Sequence, residues 1–368
     1  MKGSLNIGFV LPDFRCGGAE KVIITIANAL AEKEKYNVYV IVGECRGHYK
    51  GYLSNRIKCI TIGETSGFKS ARYIAKISNS HSLNVIVGTL GMAHGVSLSK
   101  LFNNKAKVIA RVGNTISEDL KSFYSYKRIL MRLYQYSLCI SDSIIVQSEY
   151  MRNDTKRMLI PFVNDKKMFR IYNPIDIHSL NEKKKSIIFD ELTEDDIVTV
   201  GRLERQKDIK IIIRAFAMFA QSNHSSRLFI LGDGNQRGCL EALALELKIK
   251  HRVIFKGRID NPYPYINNAG LFILSSLYEG FSNALLEAVS LGKFVIVSDS
   301  PGGNREIVSD GNNGLFFTVG NEFELYDRIM EFNLKNSSFK DVDIDIDKFE
   351  INKIVNQYEK VINDICFY

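Results

Sequence analysis

Several features are missing from this 368-residue chain, and each absence removes a class of reading. No charged-plus-apolar leader opens it, and the longest apolar stretches, such as "IKIIIRAFAMFA", are too short or too interrupted by charge to span a bilayer. Export and membrane insertion are therefore not expected. The six cysteines, Cys16, Cys45, Cys59, Cys139, Cys239 and Cys366, form no CxxC pair and lack histidines at zinc-ligand spacing, so they read as reduced cytosolic thiols. Helix-turn-helix, RRM and zinc-finger signatures are absent, as are tandem short repeats and low-complexity tails, and no nucleic-acid partner is expected.

What is present is enough for two packed cores, since 45% of the residues are hydrophobic. Charge is uneven: residues 1–176 hold 26 Lys and Arg against 13 Asp and Glu, a balance of +13, and the remainder carries −5. A half so basic favours an anionic neighbour, whether nucleic acid, a membrane surface or an acidic substrate, and the first of these lacks any signature motif.

Short β-type runs alternate with helical periodicity: "LNIGFVLP", "AEKVIITIANALAEK", "YNVYVIVG", then "LNVIVG", "KVIARV" and "DSIIVQS". After the polar segment "NEKKKSIIFDELTEDD" the rhythm restarts with "IVTVGRL", a helix over 208–220, "SRLFILGDG", a helix over 235–248, "RVIFKG", "LFILSS", a helix after Ser282, and "KFVIVS". This predicts an α/β protein of two doubly wound, Rossmann-like domains over 1–176 and 177–345. A last helix within 346–368 is placed back against the first domain. In such sheets ligands bind beyond the carboxyl ends of the strands, so the loops that follow strands are the ones to inspect.

In "CGGAE", Gly17 and Gly18 permit close backbone approach, and the helix beginning near Ala19 offers amides and a positive dipole end, a place for an anion as readily as a tight turn. In "GRLERQKD", Arg202 and Lys207 supply a planar fork and a mobile ammonium, a pair suited to a diphosphate; singly, either is ordinary surface charge. "LGDGNQRG" fails the dinucleotide glycine spacing and reads as a turn lining the site. In "LYEGFSNALLEAVSLGK", Ser282 can cap a helix whose first amides, around Asn283, Ala284 and Leu285, suit a phosphate. Glu279 and Glu287 flank that point. Each acid alone is more simply a partner of the helix dipole; together they suit hydroxyl groups on either side of a diphosphate, the layout of a nucleotide-sugar.

These residues resemble glycosyltransferase family 4, whose members have the GT-B fold of two Rossmann-like domains facing across a cleft. The likeness runs through "GGAE", "NPID", "VGRLERQKD", "LGDG", "VIFKGRID", "SSLYEGFSNALLEAVSLGKFVIVSD" and "GGNREIVSDGNNGLFF". It implies a retaining transferase that moves a sugar from a nucleoside-diphosphate sugar, a UDP-sugar being favoured, to a glycan or lipid-diphosphate-linked acceptor in surface polysaccharide or glycoconjugate assembly. Arg202 and Lys207 would hold the diphosphate, Gly17 and Gly18 approach it, Glu279 bind the donor sugar, Glu287 the ribose, and the backbone near Arg258 the base. Phe281, Ser282, Asn283 and Ala284 would complete the donor site, with Glu279, Arg202 and Lys207 acting in catalysis. Many members carry a pocket histidine where this chain has "VIARVGNTIS"; Arg111, Asn114 and, in "GMAHGVS", His94 are the candidates to replace it. The alternatives are a nucleotide-sugar epimerase of the same form and a non-catalytic basic binding protein.

No metal or other cofactor is expected beyond the nucleotide-sugar co-substrate. The acidic run "DVDIDID", Asp341 to Asp347, sits in a polar connection and reads as a solvated edge. Finally, "LKSFYSYKRILMRLYQYS", read as one helix, gathers Phe123, Tyr126, Leu130 and Leu133 on one side and Lys121, Arg128 and Arg132 on another. That pattern suits either packing on the sheet or peripheral attachment to an anionic membrane at its cytoplasmic face.

Overall fold

The computed structural model describes residues 4–15, 17–187, 192–335 and 345–367. The chain divides into two compact units, one of Met1–Pro174 with Asp347–Tyr368 and one of Ile175–Ile346. Most of the acidic run, Asp341 and Asp343 included, lies outside the described residues.

The first unit holds seven parallel strands: β1 (Leu5–Leu11), β2 (Tyr36–Val42), β3 (Lys58–Thr61), β4 (Val85–Thr89), β5 (Lys107–Arg111), β6 (Ser143–Val146) and β7 (Met168–Arg170). Their order is β3-β2-β1-β4-β5-β6-β7, with Phe9 of β1 opposite Val40 of β2 and Val87 of β4. The central strands are apolar on both faces because helices cover both faces, so β1 buries five residues in succession and β4 all five of its own. The winding reverses at β1, which puts the loops after β1 and β4 side by side at the carboxyl edge.

The helix Ile351–Phe367 belongs to this first unit although it follows the second in sequence. Ile354, Val355, Tyr358, Val361 and Ile362 join the same core as Val22, Ile23 and Ile26 of the helix Gly18–Ala31. Its polar flank is fastened as well, for Glu359 receives Lys33 Nζ at 2.6 Å and Lys35 Nζ at 3.0 Å.

The second unit repeats the design with six parallel strands: β8 (Ile197–Val200), β9 (Leu228–Leu231), β10 (Val253–Gly257), β11 (Leu271–Leu274), β12 (Val295–Ser298) and β13 (Gly314–Phe317). Their order is β10-β9-β8-β11-β12-β13, so the reversal falls between β8 and β11. Loops that are distant in sequence, after β8 and after β11, are thereby made neighbours.

The stretch from Leu120 to Ser137 is not the single helix its periodicity suggests. It breaks into the helices Ile116–Lys121 and Ser125–Gln135, followed by a 3₁₀ turn over Tyr136–Ile140. The break is chemically sealed: Ser122 Oγ donates to the Asp119 carbonyl at 2.6 Å, and Arg128 donates to the carbonyls of Leu120 at 3.2 Å and Phe123 at 3.1 Å. Arg128 thus satisfies the end of the preceding helix. Phe123, outside the second helix, packs inward, while Lys121 pairs with Glu118 at 2.7 Å.

Candidate functional site

The second unit gathers its chemistry at the reversal. The loop after β8 carries Arg202, whose guanidinium is exposed and has no hydrogen-bond or ion-pair partner among the described residues. It then makes a short 3₁₀ turn over Arg205–Lys207 and enters the helix Ile209–Ser222 through Asp208, whose backbone is left-handed at φ +45°. Aspartate is one of the few side chains that tolerates that conformation. Burial pushes the Asp208 carboxyl above its ordinary range.

From the neighbouring β11 comes Glu279, which forms an ion pair with the Lys207 ammonium and accepts the Ser276 hydroxyl on the same oxygen, Oε1, at 2.6 Å. Lys207 and Glu279 side chains are 15% and 8% exposed, so the pair is shielded yet still reachable. The two loops are also laced through the backbone: Leu277 N donates to the Gln206 carbonyl at 2.8 Å and Gln206 Nε2 to the Tyr278 carbonyl at 2.9 Å. Gly302, at φ +139°, passes so close to the Glu279 carbonyl that a side chain there would collide with it.

Ser282 caps the helix Asn283–Ser290, its hydroxyl accepting from Leu285 N at 3.4 Å. The amides of Asn283 and Ala284 in that first turn lie at the positive end of the helix. Phe281 and Ser282 are buried, and Asn283 and Ala284 half-buried. Glu287, one turn into the helix and buried, accepts the Tyr263 hydroxyl at 3.3 Å. Arg258 is exposed in the loop after β10, 4.0 Å from Asp260. The "LGDG" segment is a turn against the β8 loop, with Leu203 N donating to the Asp233 carbonyl and Gln236 N to the Leu203 carbonyl, both at 2.9 Å.

The first unit disposes of its candidates differently. Gly17 caps the helix Gly18–Ala31, and Gly18 is exposed at its start. The carboxylate of Glu20 folds back against Gly17, placing an acid at the positive helix end. His94, in the helix Gly91–Ser99, shares a hydrogen bond with Ser137 Oγ at 2.8 Å and stacks on Tyr134 with ring centroids 4.2 Å apart. Burial holds its pKa down at about 4, so the ring is neutral at neutral pH.

Arg111, 2% exposed at the end of β5, donates to Thr89 Oγ1 at 2.9 Å and Asn173 Oδ1 at 2.6 Å. Burial raises the pKa of the Tyr358 hydroxyl, and the Arg111 charge opposes the rise. Arg111 Nε lacks a partner among the described residues. Asn114 donates to Asp119 Oδ1 at 2.8 Å near the start of the helix Ile116–Lys121. Of the three pocket candidates, Arg111 is thus packed into the unit, and His94 and Asn114 are half-buried.

Sequence reasoning missed Ser276 and Tyr263, the side chains that orient the two acids. The signal for Ser276 was its position three residues before Glu279 at the end of an apolar strand; nothing marked Tyr263.

Residues 181–342 match the family described as glycosyl transferases group 1. The chain is a glycosyltransferase, similar to the family-4 enzymes of GT-B fold. This glycosyltransferase is 25% identical over 337 residues to the Campylobacter jejuni N-acetylgalactosamine-N,N'-diacetylbacillosaminyl-diphospho-undecaprenol 4-alpha-N-acetylgalactosaminyltransferase, covering 87% of this chain and 88% of that protein. It is 34% identical over 160 residues to the lipopolysaccharide 1,6-galactosyltransferase of Salmonella typhimurium, covering 41% of this chain and 42% of that one. The crystal structure of Anabaena HepE in complex with UDP-glucose shares its fold at a TM-score of 0.80 and 18% identity, over 98% of this chain and all of that one (100%). Among the described residues of the glycosyltransferase, no group of three or more His, Cys, Asp or Glu is placed to hold a metal ion, and no helix is long and apolar enough to cross a membrane.

Proposed function

We propose that the enzyme transfers a sugar, with retention of anomeric configuration, from a UDP-sugar to a glycan carried on a lipid diphosphate, in surface polysaccharide or glycoconjugate assembly. The observation that carries the donor half of this reading is the meeting of Lys207 and Glu279 beside the capped helix Asn283–Ser290, with Arg202 exposed in the same β8 loop. Cations and helix amides suit the leaving nucleoside diphosphate as charge develops on it, a preorganised electrostatic contribution. Glu279 suits the hydroxyls of the donor sugar and Glu287 those of the ribose. No separate base is needed where the departing phosphate takes the acceptor's proton on the face it leaves. The diphosphate-lipid named for the Campylobacter relative and the UDP-glucose held by HepE favour the same substrate classes here.

Peripheral attachment at the cytoplasmic face of a membrane is part of the proposal. The helix Ser125–Gln135 buries none of its residues, and Tyr124, Tyr126, Ile129, Leu130 and Leu133 are each more than half exposed. Lys127 and Arg132 are exposed on the same helix, within the stretch 1–176 that carries +13. Apolar and aromatic side chains interleaved with cations suit an anionic lipid interface.

The test is a panel of UDP-, GDP- and ADP-sugars with a lipid-diphosphate-linked acceptor, run with and without chelator. Release of nucleoside diphosphate that depends on acceptor, from a UDP-sugar and in the presence of chelator, is expected. Release of nothing and conversion of the sugar nucleotide to an isomer would replace the transferase reading by the epimerase one.

A further inference from the structure

Oε1 of Glu279 accepts from donors of two different kinds. The Lys207 ammonium reaches Oε1 from the β8 loop, and the Ser276 hydroxyl reaches the same oxygen from the end of β11. Ser276 is fully buried, and its own carbonyl accepts Ser298 Oγ of β12 at 2.6 Å, so its position is fixed from the adjacent strand. Its neighbour Ser275 donates to the carbonyls of Lys207 at 2.7 Å and Asp208 at 3.2 Å. Two successive serines therefore hold both members of the ion pair, one by the carboxylate and the other by the backbone beneath the ammonium.

We infer that Ser276 is a positioning residue for an exchange of partners between Lys207 and Glu279, an inference that rests on the donor-site reading proposed above. A diphosphate carries more charge than one carboxylate and competes for the Lys207 ammonium. When Lys207 turns to the phosphate, Glu279 becomes a buried carboxylate that has lost its cation, which is costly unless other donors replace it. Ser276 keeps one hydrogen bond on Oε1 and keeps the carboxylate from following the ammonium, and hydroxyls of the donor sugar supply the rest. A nucleotide-sugar thus satisfies both groups that it separates. A nucleoside diphosphate separates them and returns nothing to Glu279. After transfer, when the sugar has gone, Glu279 reclaims Lys207 and loosens the grip on the product. The pair therefore favours substrate over product and speeds release.

The experiment compares wild type, Ser276→Ala and Ser276→Thr, using the sugar nucleotide that turns over in the panel and the matching nucleoside diphosphate as calorimetric probes. Loss of one hydrogen bond to a charged group predicts for Ser276→Ala a loss of nucleotide-sugar affinity of about tenfold and a similar fall in kcat. Affinity for the nucleoside diphosphate should stay within about twofold of wild type. Threonine keeps the hydroxyl and should restore both losses. Equal weakening toward the two probes, or no change in either affinity or kcat, overturns the inference. Lys207→Ala run in parallel separates the two claims: a near-normal turnover there removes the donor-site reading itself, whereas an inactive Lys207→Ala beside a wild-type-like Ser276→Ala removes only the role of Ser276.

Discussion

The Tyr263 hydroxyl donates to the Glu287 carboxylate at 3.3 Å, joining the short helix after β10 to the helix after β11, with both side chains buried. Of the two acids proposed for the donor site, Glu287 accepts from a tyrosine, and Glu279 from a serine and a lysine. Their losses should separate. Glu287→Ala should weaken binding of free nucleoside diphosphate, and Tyr263→Phe should do so by about threefold to tenfold, the worth of one neutral donor. Glu279→Ala should chiefly disturb sugar transfer. Calorimetry with the nucleoside diphosphate decides, because equal affinity losses in the two alanine variants would contradict this polarity.

Arg202→Ala and Lys207→Ala should each reduce kcat by roughly a hundredfold to a thousandfold, the usual effect of removing one charge-stabilising donor. Arg202 is exposed, so its variant should melt like wild type. Steady-state kinetics beside thermal unfolding checks this, and near-normal turnover in both variants would end the assignment of a diphosphate clamp.

His94 makes stability depend on pH. Its pKa is held down at about 4, below the ordinary value of 6.5, because burial disfavours the charged ring. The neutral form is present in folded and unfolded chains above 6.5, so no penalty acts there. As pH falls from 6.5 to about 4 the unfolded chain takes up a proton that the folded one refuses, and stability declines by at most about 3 kcal/mol. Denaturant titrations of wild type and His94→Gln across that range should converge toward acid pH. Parallel curves would show that His94 is not the group responsible.

Vesicle co-sedimentation should show recovery on anionic lipid that exceeds recovery on neutral lipid and falls with salt. Replacing Tyr126, Leu130 and Leu133 together by Ser should abolish it, since these exposed side chains support no core. Neutralising Arg128 is a poorer probe, because its guanidinium is already committed to the carbonyls of Leu120 and Phe123. Equal recovery on both lipids would leave this helix without a membrane role.

The parallel-sheet architecture was legible because buried strands such as "LNIGFVL" and "LFIL" read as continuous apolar runs bounded by turn residues. Strand ends mark where ligands bind, which is how the loops proposed for the donor were chosen: Arg202 and Lys207 follow β8, Glu279 follows β11, and Glu287 lies in the helix after that loop. Periodicity could not show that Lys207 and Glu279 touch. That contact follows from strand order, which places β8 beside β11, and strand order is a tertiary fact. Nor could it locate the break near Ser122, where local capping by Ser122 and Arg128 overrides an amphipathic pattern that runs on unbroken. Arg111 was a pocket candidate through the family resemblance, as a replacement for a histidine in "VIARVGNTIS"; only packing reveals that Thr89 and Asn173 engage it.

The final helix has a consequence for the order of assembly. The second unit is one uninterrupted stretch of chain, whereas the first is closed by residues from both ends. During synthesis, β1 to β7 emerge early, yet the core around Val22 and Ile26 still lacks Ile354, Val355, Tyr358 and Ile362. The second unit has its whole sequence available before the first unit does. The first unit is therefore completed after the second, and a chain cut before Ile351 leaves it open along the helix Gly18–Ala31.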